Sequence, residues 1–184
     1  MKKVILVILL LAFLSPMAGA EGVKLGAGVF GGLNIPIVQQ DQGSGTAFGV
    51  RGKLHFSSFF GAEPNIVFGK WGDPGEVDGF ELGISGSSVT SFGVDLVLGG
   101  MPGTVGFKPF VFAGLGMYSI KNDDTDYDES KFGFDGGLGV AIGLSPIIDI
   151  ETRGTLFLAG MEGGLSKKAV MITAGINYYF GSDY

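Results

Sequence analysis

The sequence predicts an all-β chain of eight antiparallel strands in up-and-down order, closed into a transmembrane barrel. Three observations carry this. Apolar residues alternate with small or polar ones at a period of two in segment after segment, the pattern of strands that face lipid on one side and a filled lumen on the other. Mean hydropathy is +0.41 and only 16% of residues are charged, yet beyond the first twenty residues no stretch approaches the roughly 20 apolar residues of a membrane helix. A closed barrel is the other structure that satisfies every backbone group within lipid. Thirdly, 35 glycines in 184 residues argue against long helices.

The chain opens with Lys2 and Lys3, an apolar run over residues 4–14, and Ala18-Gly19-Ala20. That is the order of a secretory signal peptide, with cleavage expected after Ala20. Residues 21–184 are then a single barrel domain. There is no cysteine, which excludes disulfides, thiolate chemistry and acylation of the leader. Removing the leader takes two lysines and leaves 18 acidic against 10 basic residues, so nucleic acid is not an expected partner.

The first strand is expected over residues 22–33, with Val23, Leu25, Ala27 and Val29 outward, followed by a polar loop over 34–45. The second, 46–56, sets Phe48, Val50, Leu54 and Phe56 against Arg51, Lys53 and His55. After a tight Ser57-Ser58 turn the third strand, 59–70, places Phe60, Ala62, Ile66 and Phe68 outward and Glu63 inward. Pro64 lies within it; a proline gives the ladder no donor, which predicts a bulge or local break. A long acidic loop, 71–87, leads to the fourth strand, 88–99, with Asp95 inward. A turn over 100–108 precedes the fifth, from Pro109, with Val111, Ala113, Leu115 and Met117 assigned outward.

Residues 121–131, KNDDTDYDESK, are expected to form an exposed loop. The sixth strand, 132–144, has Asp135 inward, and Ser145-Pro146 turns into the seventh, 147–159, with Asp149, Glu151 and Arg153 inward. The loop 160–167 leads to the last strand, KAVMITAGINYYF, whose outward face is Val170, Ile172, Ala174, Ile176, Tyr178 and Phe180. Connections alternate long and short, the asymmetry of a barrel with short periplasmic turns and longer outer loops.

Thr173, Gly175, Tyr178 and Phe180 resemble the C-terminal assembly signature of outer-membrane β-barrels, polar-x-Gly-x-x-aromatic-x-aromatic. Family members usually stop at the last aromatic, whereas this chain continues Gly-Ser-Asp-Tyr. FKPFVFAGLGM is similar to a Pro-aromatic-Val-x-Ala-Gly-x-Gly strand of the small barrels typified by the membrane domain of outer-membrane protein A. The resemblance covers the mature chain. It implies a monomer in the outer membrane of a Gram-negative bacterium, inserted by the barrel assembly machinery among outer-membrane lipid and lipopolysaccharide. Roles in that family are structural, adhesive, immune-evading or lipid-modifying, and fold does not choose among them.

The inward charges Lys24, Arg51, Lys53, Glu63, Asp95, Asp135, Asp149, Glu151 and Arg153 are nearly balanced, which suits mutual pairing in a narrow lumen. A soluble lipocalin-like barrel would instead turn its apolar face inward. Two rings of aromatics fit the membrane reading: Phe56, Phe60, Tyr178 and Phe180 at one end, Phe48, Phe68, Phe92 and Phe132 at the other. A lipid A modifying enzyme would need a nucleophile and base near the outer leaflet. The single histidine, His55, is expected at the periplasmic end, paired with a carboxylate such as Glu63, and no Ser-His-acid group can be assembled around it. Asp124-x-Asp126-x-Asp128 has the opening spacing of a calcium loop, but Glu129 stands where the glycine belongs.

No cofactor is indicated. Acidic residues gather in two outer loops: Asp73, Glu76, Asp78 and Glu81 in one, Asp123, Asp124, Asp126, Asp128 and Glu129 in the other, opposed within them by Lys121 and Lys131. Such a rim would repel the anionic outer leaflet unless magnesium or calcium bridged it to lipopolysaccharide, or would meet a basic surface partner. The expected function is therefore non-enzymatic, in envelope structure or surface interaction.

Overall fold

A computed structural model describes residues 23–37, 43–72, 86–100, 102–122, 127–160 and 166–180. The expected leader lies outside them, as do Asp73, Glu76, Asp78, Glu81, Asp123, Asp124 and Asp126. Every regular element among the described residues is a strand: β1 (Lys24–Pro36), β2 (Gly45–His55), β3 (Phe60–Lys70), β4 (Ser88–Gly99), β5 (Gly106–Asn122), β6 (Tyr127–Ser145), β7 (Ile148–Gly160) and β8 (Ser166–Phe180). Each pairs antiparallel with its neighbours in sequence, and β1 also pairs with β8, from Leu25↔Phe180 to Pro36↔Ala169, closing the barrel. Closure leaves no sheet edge in lipid.

The wall follows from the alternation. Val50, Leu96, Val111, Leu115, Leu138, Ile142, Ile172 and Ile176 are all exposed on the outside, and the outward assignment of β5 through Val111, Ala113, Leu115 and Met117 holds. Exposed charge on the described strands is confined to the outer rim, at Lys70, Lys121, Asp128 and Lys168. An exterior this apolar is stable against lipid and not against water.

The short turns are built from local hydrogen bonds. Ser57 Oγ accepts from the backbone N–H groups of Phe59 and Phe60 at 3.2 and 3.0 Å. Ser145 Oγ does the same for Ile147 and Ile148 at 3.4 and 3.1 Å, beside a register shift between Gly143 and Ser145. The β4–β5 connection needs glycine for its left-handed backbone at Gly99, Gly100 and Gly103, with φ of 99°, 83° and 78°.

Three expectations need correction in detail, and a fourth, the bulge or local break at Pro64, is met as a local break. β1 continues through Asn34 to Pro36 rather than ending at Leu33, and Asn34 is buried. β5 starts at Gly106, which brings Lys108 out of the expected turn and into the lumen. The expected loop 121–131 is mostly a hairpin, because β5 and β6 stay paired out to Asn122↔Tyr127. At Pro64 the β2–β3 pairing lapses between Arg51↔Asn65 and Leu54↔Ala62 with the register unchanged, while β3–β4 pairing runs through Pro64↔Val94. The proline interrupts one side of the ladder, where it has no N–H to give, without producing a bulge.

Candidate functional site: the barrel interior

Strand β7 lines the interior from end to end. Its inward residues Asp149, Glu151, Arg153, Thr155 and Phe157 are all buried, and each belongs to a different level of the lumen. At the floor, the end that carries the short turns, Asp149 receives Lys108 Nζ at 2.9 Å, the Tyr179 hydroxyl at 2.9 Å and Asn177 Nδ2 at 2.6 Å. Lys24 Nζ donates to the Pro102 carbonyl at 3.1 Å, at the mouth. His55 stands here too, with Nε2 3.9 Å from Glu63 Oε1 and its ring edge-on to Tyr179.

One level up, Glu151 accepts from Arg51, Lys53 and Arg153. Arg153 also donates to Glu63, and to Asp95 at 3.4 Å, while Lys53 closes the ring to Glu63 at 2.9 Å. Two arginines and one lysine thus share three carboxylates, all at most 8% exposed. Rings add to this: the Arg51 guanidinium lies 4.0 Å above Phe30, and that of Arg153 sits 4.8 and 4.9 Å from Phe110 and Phe112. Delocalised, weakly hydrated guanidinium tolerates both partners.

The inward aromatics fit because a glycine stands opposite. Phe110 pairs with Gly139 and Phe112 with Gly137, and a side chain added at either glycine would fall on the ring it faces. Above the charges, Asp95 and Asp135 flank Gly114 on neighbouring strands. Asn65 Nδ2 donates to Asp95 at 3.0 Å and the Tyr118 hydroxyl to Asp135 at 2.6 Å. A cavity of about 30 Å³ lies at this level and one of about 10 Å³ near His55, volumes on the scale of one or two waters.

The outer end is apolar. Phe157 lies between Trp71 and Tyr118, stacked at 6.5 and 5.5 Å with interplanar angles of 2° and 11°. Val89, Ile120 and Ala169 complete the cluster, against which Met171 packs. Trp71 is held by its backbone N–H to the Ser87 carbonyl at 2.9 Å, next to Gly72 N–H on the Gly43 carbonyl at 2.9 Å. Outside this lid, Lys121 pairs with Asp128 at 2.7 Å and Lys131 with Glu129 at 3.0 Å.

The expected lumen charges from Arg51 to Arg153 therefore meet in one continuous interior, with Lys24 at its mouth. Sequence reading missed Lys108, Trp71 and Asn34 because each sat in an assigned turn or loop. For Lys108 the signal was present: it shares the parity of Phe110 and Phe112. Among the described residues no group of three or more His, Asp or Glu is arranged to hold a metal. Tyr178 and Phe180 stand exposed on the lipid face, 5.5 Å apart as an edge-to-face pair, while Thr173 is buried in the lumen.

A closed antiparallel barrel with an apolar exterior and a packed polar interior is an outer-membrane β-barrel of the small eight-stranded class. The outer membrane protein beta-barrel domain family matches residues 4–180, and the chain belongs to that family. No curated protein sequence matches it. Among solved structures it is similar to Neisserial surface protein A (13% identity, TM-score 0.66, 87% of this chain and 100% of that one). It is also similar to the N-terminal β-barrel domain of Pseudomonas aeruginosa OprF (18%, 0.57, 85% and 97%) and to Ail, the attachment invasion locus protein of Yersinia pestis (14%, 0.50, 88% and 100%). At these identities the likeness is one of fold.

Proposed function

We propose that this protein is a non-enzymatic barrel whose filled interior is a scaffold and whose work, in envelope structure or surface interaction, is done at its outer rim. The observation that carries this is the interior itself: side chains from all eight strands meet across it, leaving cavities of about 30 and 10 Å³, too small for a substrate or an open aqueous path. His55 faces Tyr179 and Glu63 at the periplasmic floor, far along the strand from the outer leaflet where lipid chemistry would need a base. The name of Ail, an attachment invasion locus protein, is consistent with a surface role.

At the rim, Asp128 and Glu129 already face lysines, so recruitment of divalent cations, lipopolysaccharide or a basic partner would rest on Asp123, Asp124 and Asp126 of that loop, with Asp73, Glu76, Asp78 and Glu81 of the other. Purified monomer in planar bilayers is expected to give no porin-sized conductance steps; such steps would overturn the scaffold reading. For the rim, the Asp123→Asn, Asp124→Asn, Asp126→Asn variant is compared with the parent for binding of calcium, lipopolysaccharide and a basic peptide. A loss in any one of them with the barrel still heat-modifiable on a gel supports the rim role. Unchanged binding of all three leaves the loop as a solvated tip.

A further inference from the structure

The lipid-facing wall is not the same all round where it reaches the rim. On β7, β8 and β1 the exposed outward residues near that end are Leu158, Ile172, Leu33 and Ile37, with Lys168 among them. On β2 to β6 they are polar. Thr46, Lys70, Ser88, Lys121 and Asp128 form one row of direct cross-strand partners, all turned outward and exposed. Thr90, also exposed, lies in the row below, opposite Phe68. Lys70 and Lys121 are two strands apart, so their Cα atoms are separated by about 10 Å, a span that two lysine stems reaching toward each other can close. Ser88 stands between them, its hydroxyl donating to the Lys121 carbonyl at 3.4 Å. Asp128 takes part of the Lys121 charge at 2.7 Å, whereas Lys70 has no ion-pair partner among the described residues. Directly below, Phe48 and Phe68 face each other across β2 and β3 with ring centroids 5.5 Å apart, and Phe92 and Met117 are exposed further down the wall.

We infer that this row binds the phosphate of a membrane lipid, with Lys70 and Lys121 on its anionic oxygens, Ser88 and Thr90 beside them, and the acyl chains lying on Phe48, Phe68 and Phe92. The vertical order of the residues favours a lipid over a soluble anion. A molecule charged at one end and apolar along its length meets ammonium and hydroxyl groups above and aromatic rings below on the same strands. Lys168 on the far side has no such row, since its partner across the ladder is Leu158. The short-turn end carries no exposed charge on the described strands, so any preference for an anionic lipid arises at the rim. The site adds a lipid contact to the proposed rim role. It lies on the wall rather than in the acidic loop, so it can fail or stand independently of the Asp123, Asp124, Asp126 variant.

The test places the folded protein in phosphatidylcholine vesicles containing spin-labelled phosphatidic acid or spin-labelled phosphatidylcholine, and measures by electron paramagnetic resonance how much of each label the protein immobilises. The parent is expected to prefer phosphatidic acid. Lys70→Gln should lower that preference about fivefold, the effect of one lysine near an anionic surface. Lys121→Gln should lower it by less, because Asp128 shares its charge. Lys168→Gln should leave it unchanged, and inorganic phosphate added at constant ionic strength should not displace the label. A parent without the preference overturns the inference, whether or not any variant folds. Parental preference in Lys70→Gln, with the barrel still heat-modifiable on a gel, overturns it as well. An equal loss in Lys168→Gln would reduce the effect to the general attraction of a cationic rim, and displacement by inorganic phosphate would make the row an anion site without lipid specificity; either result overturns the lipid site.

Discussion

The two ends of the interior are closed by different physics on the same strand. Phe157 closes the outer end by dispersion between parallel rings, and four residues earlier Arg153 closes the middle by charge-assisted bonds to three carboxylates. A ring cluster depends on filled volume, so its members can be exchanged for others of similar size. A buried ionic lattice depends on partner count: removing one member leaves charges that nothing solvates, whereas removing a matched pair leaves little behind. The barrel thus has one region that tolerates substitution by volume and one that tolerates it only in pairs.

The largest expected effect is in the lattice. Arg153→Met strands Glu63, Glu151 and Asp95, and should cost on the order of 3–5 kcal/mol in urea unfolding of the folded barrel. A loss under about 1 kcal/mol would mean that water or rearranged cations serve the carboxylates.

Next comes the lid. Phe157→Ala opens a gap between Trp71 and Tyr118 and should cost about 3 kcal/mol, while Phe157→Leu, nearer in volume, should cost about 1 kcal/mol. Equal losses for the two would show that ring stacking rather than filled volume holds the lid, and would erase the distinction drawn above.

The floor sharpens the pairing rule. Lys108→Met and Asp149→Asn together should be less harmful than the two single losses summed, by about 1–2 kcal/mol in a double-mutant cycle. Additivity there would place Lys108 and Asp149 in separate networks. The smallest effect belongs to the exposed rim pair: Lys121→Ala should change stability by less than about 1 kcal/mol, and any larger change would give the β5–β6 hairpin a structural role.

The strand count, the closure and the facing of every strand but β5 followed from the sequence alone, because side chains in a strand alternate strictly and lipid tolerates no exposed backbone; in β5, where Phe110, Phe112 and Tyr118 share parity with Gly114 and Gly116, the structure decided it. In β8, for example, Ile172, Ala174 and Ile176 could only be the outer face once Thr173, Gly175 and Asn177 were opposite them. The same alternation supplied the roster of inward charges, but not who meets whom. Partners such as Arg153 and Glu63 are ninety residues apart, and their meeting depends on stagger between strands that no local pattern records. Only the tertiary structure carried Lys108 into the floor, seated Trp71 over Phe157 and set Asp95 and Asp135 on either side of a glycine. A turn assignment hides Lys108 and a loop assignment hides Trp71, because both are defined by where pairing stops. Pairing stops where the neighbouring strand and the closed ring allow, a property of the whole barrel rather than of any segment.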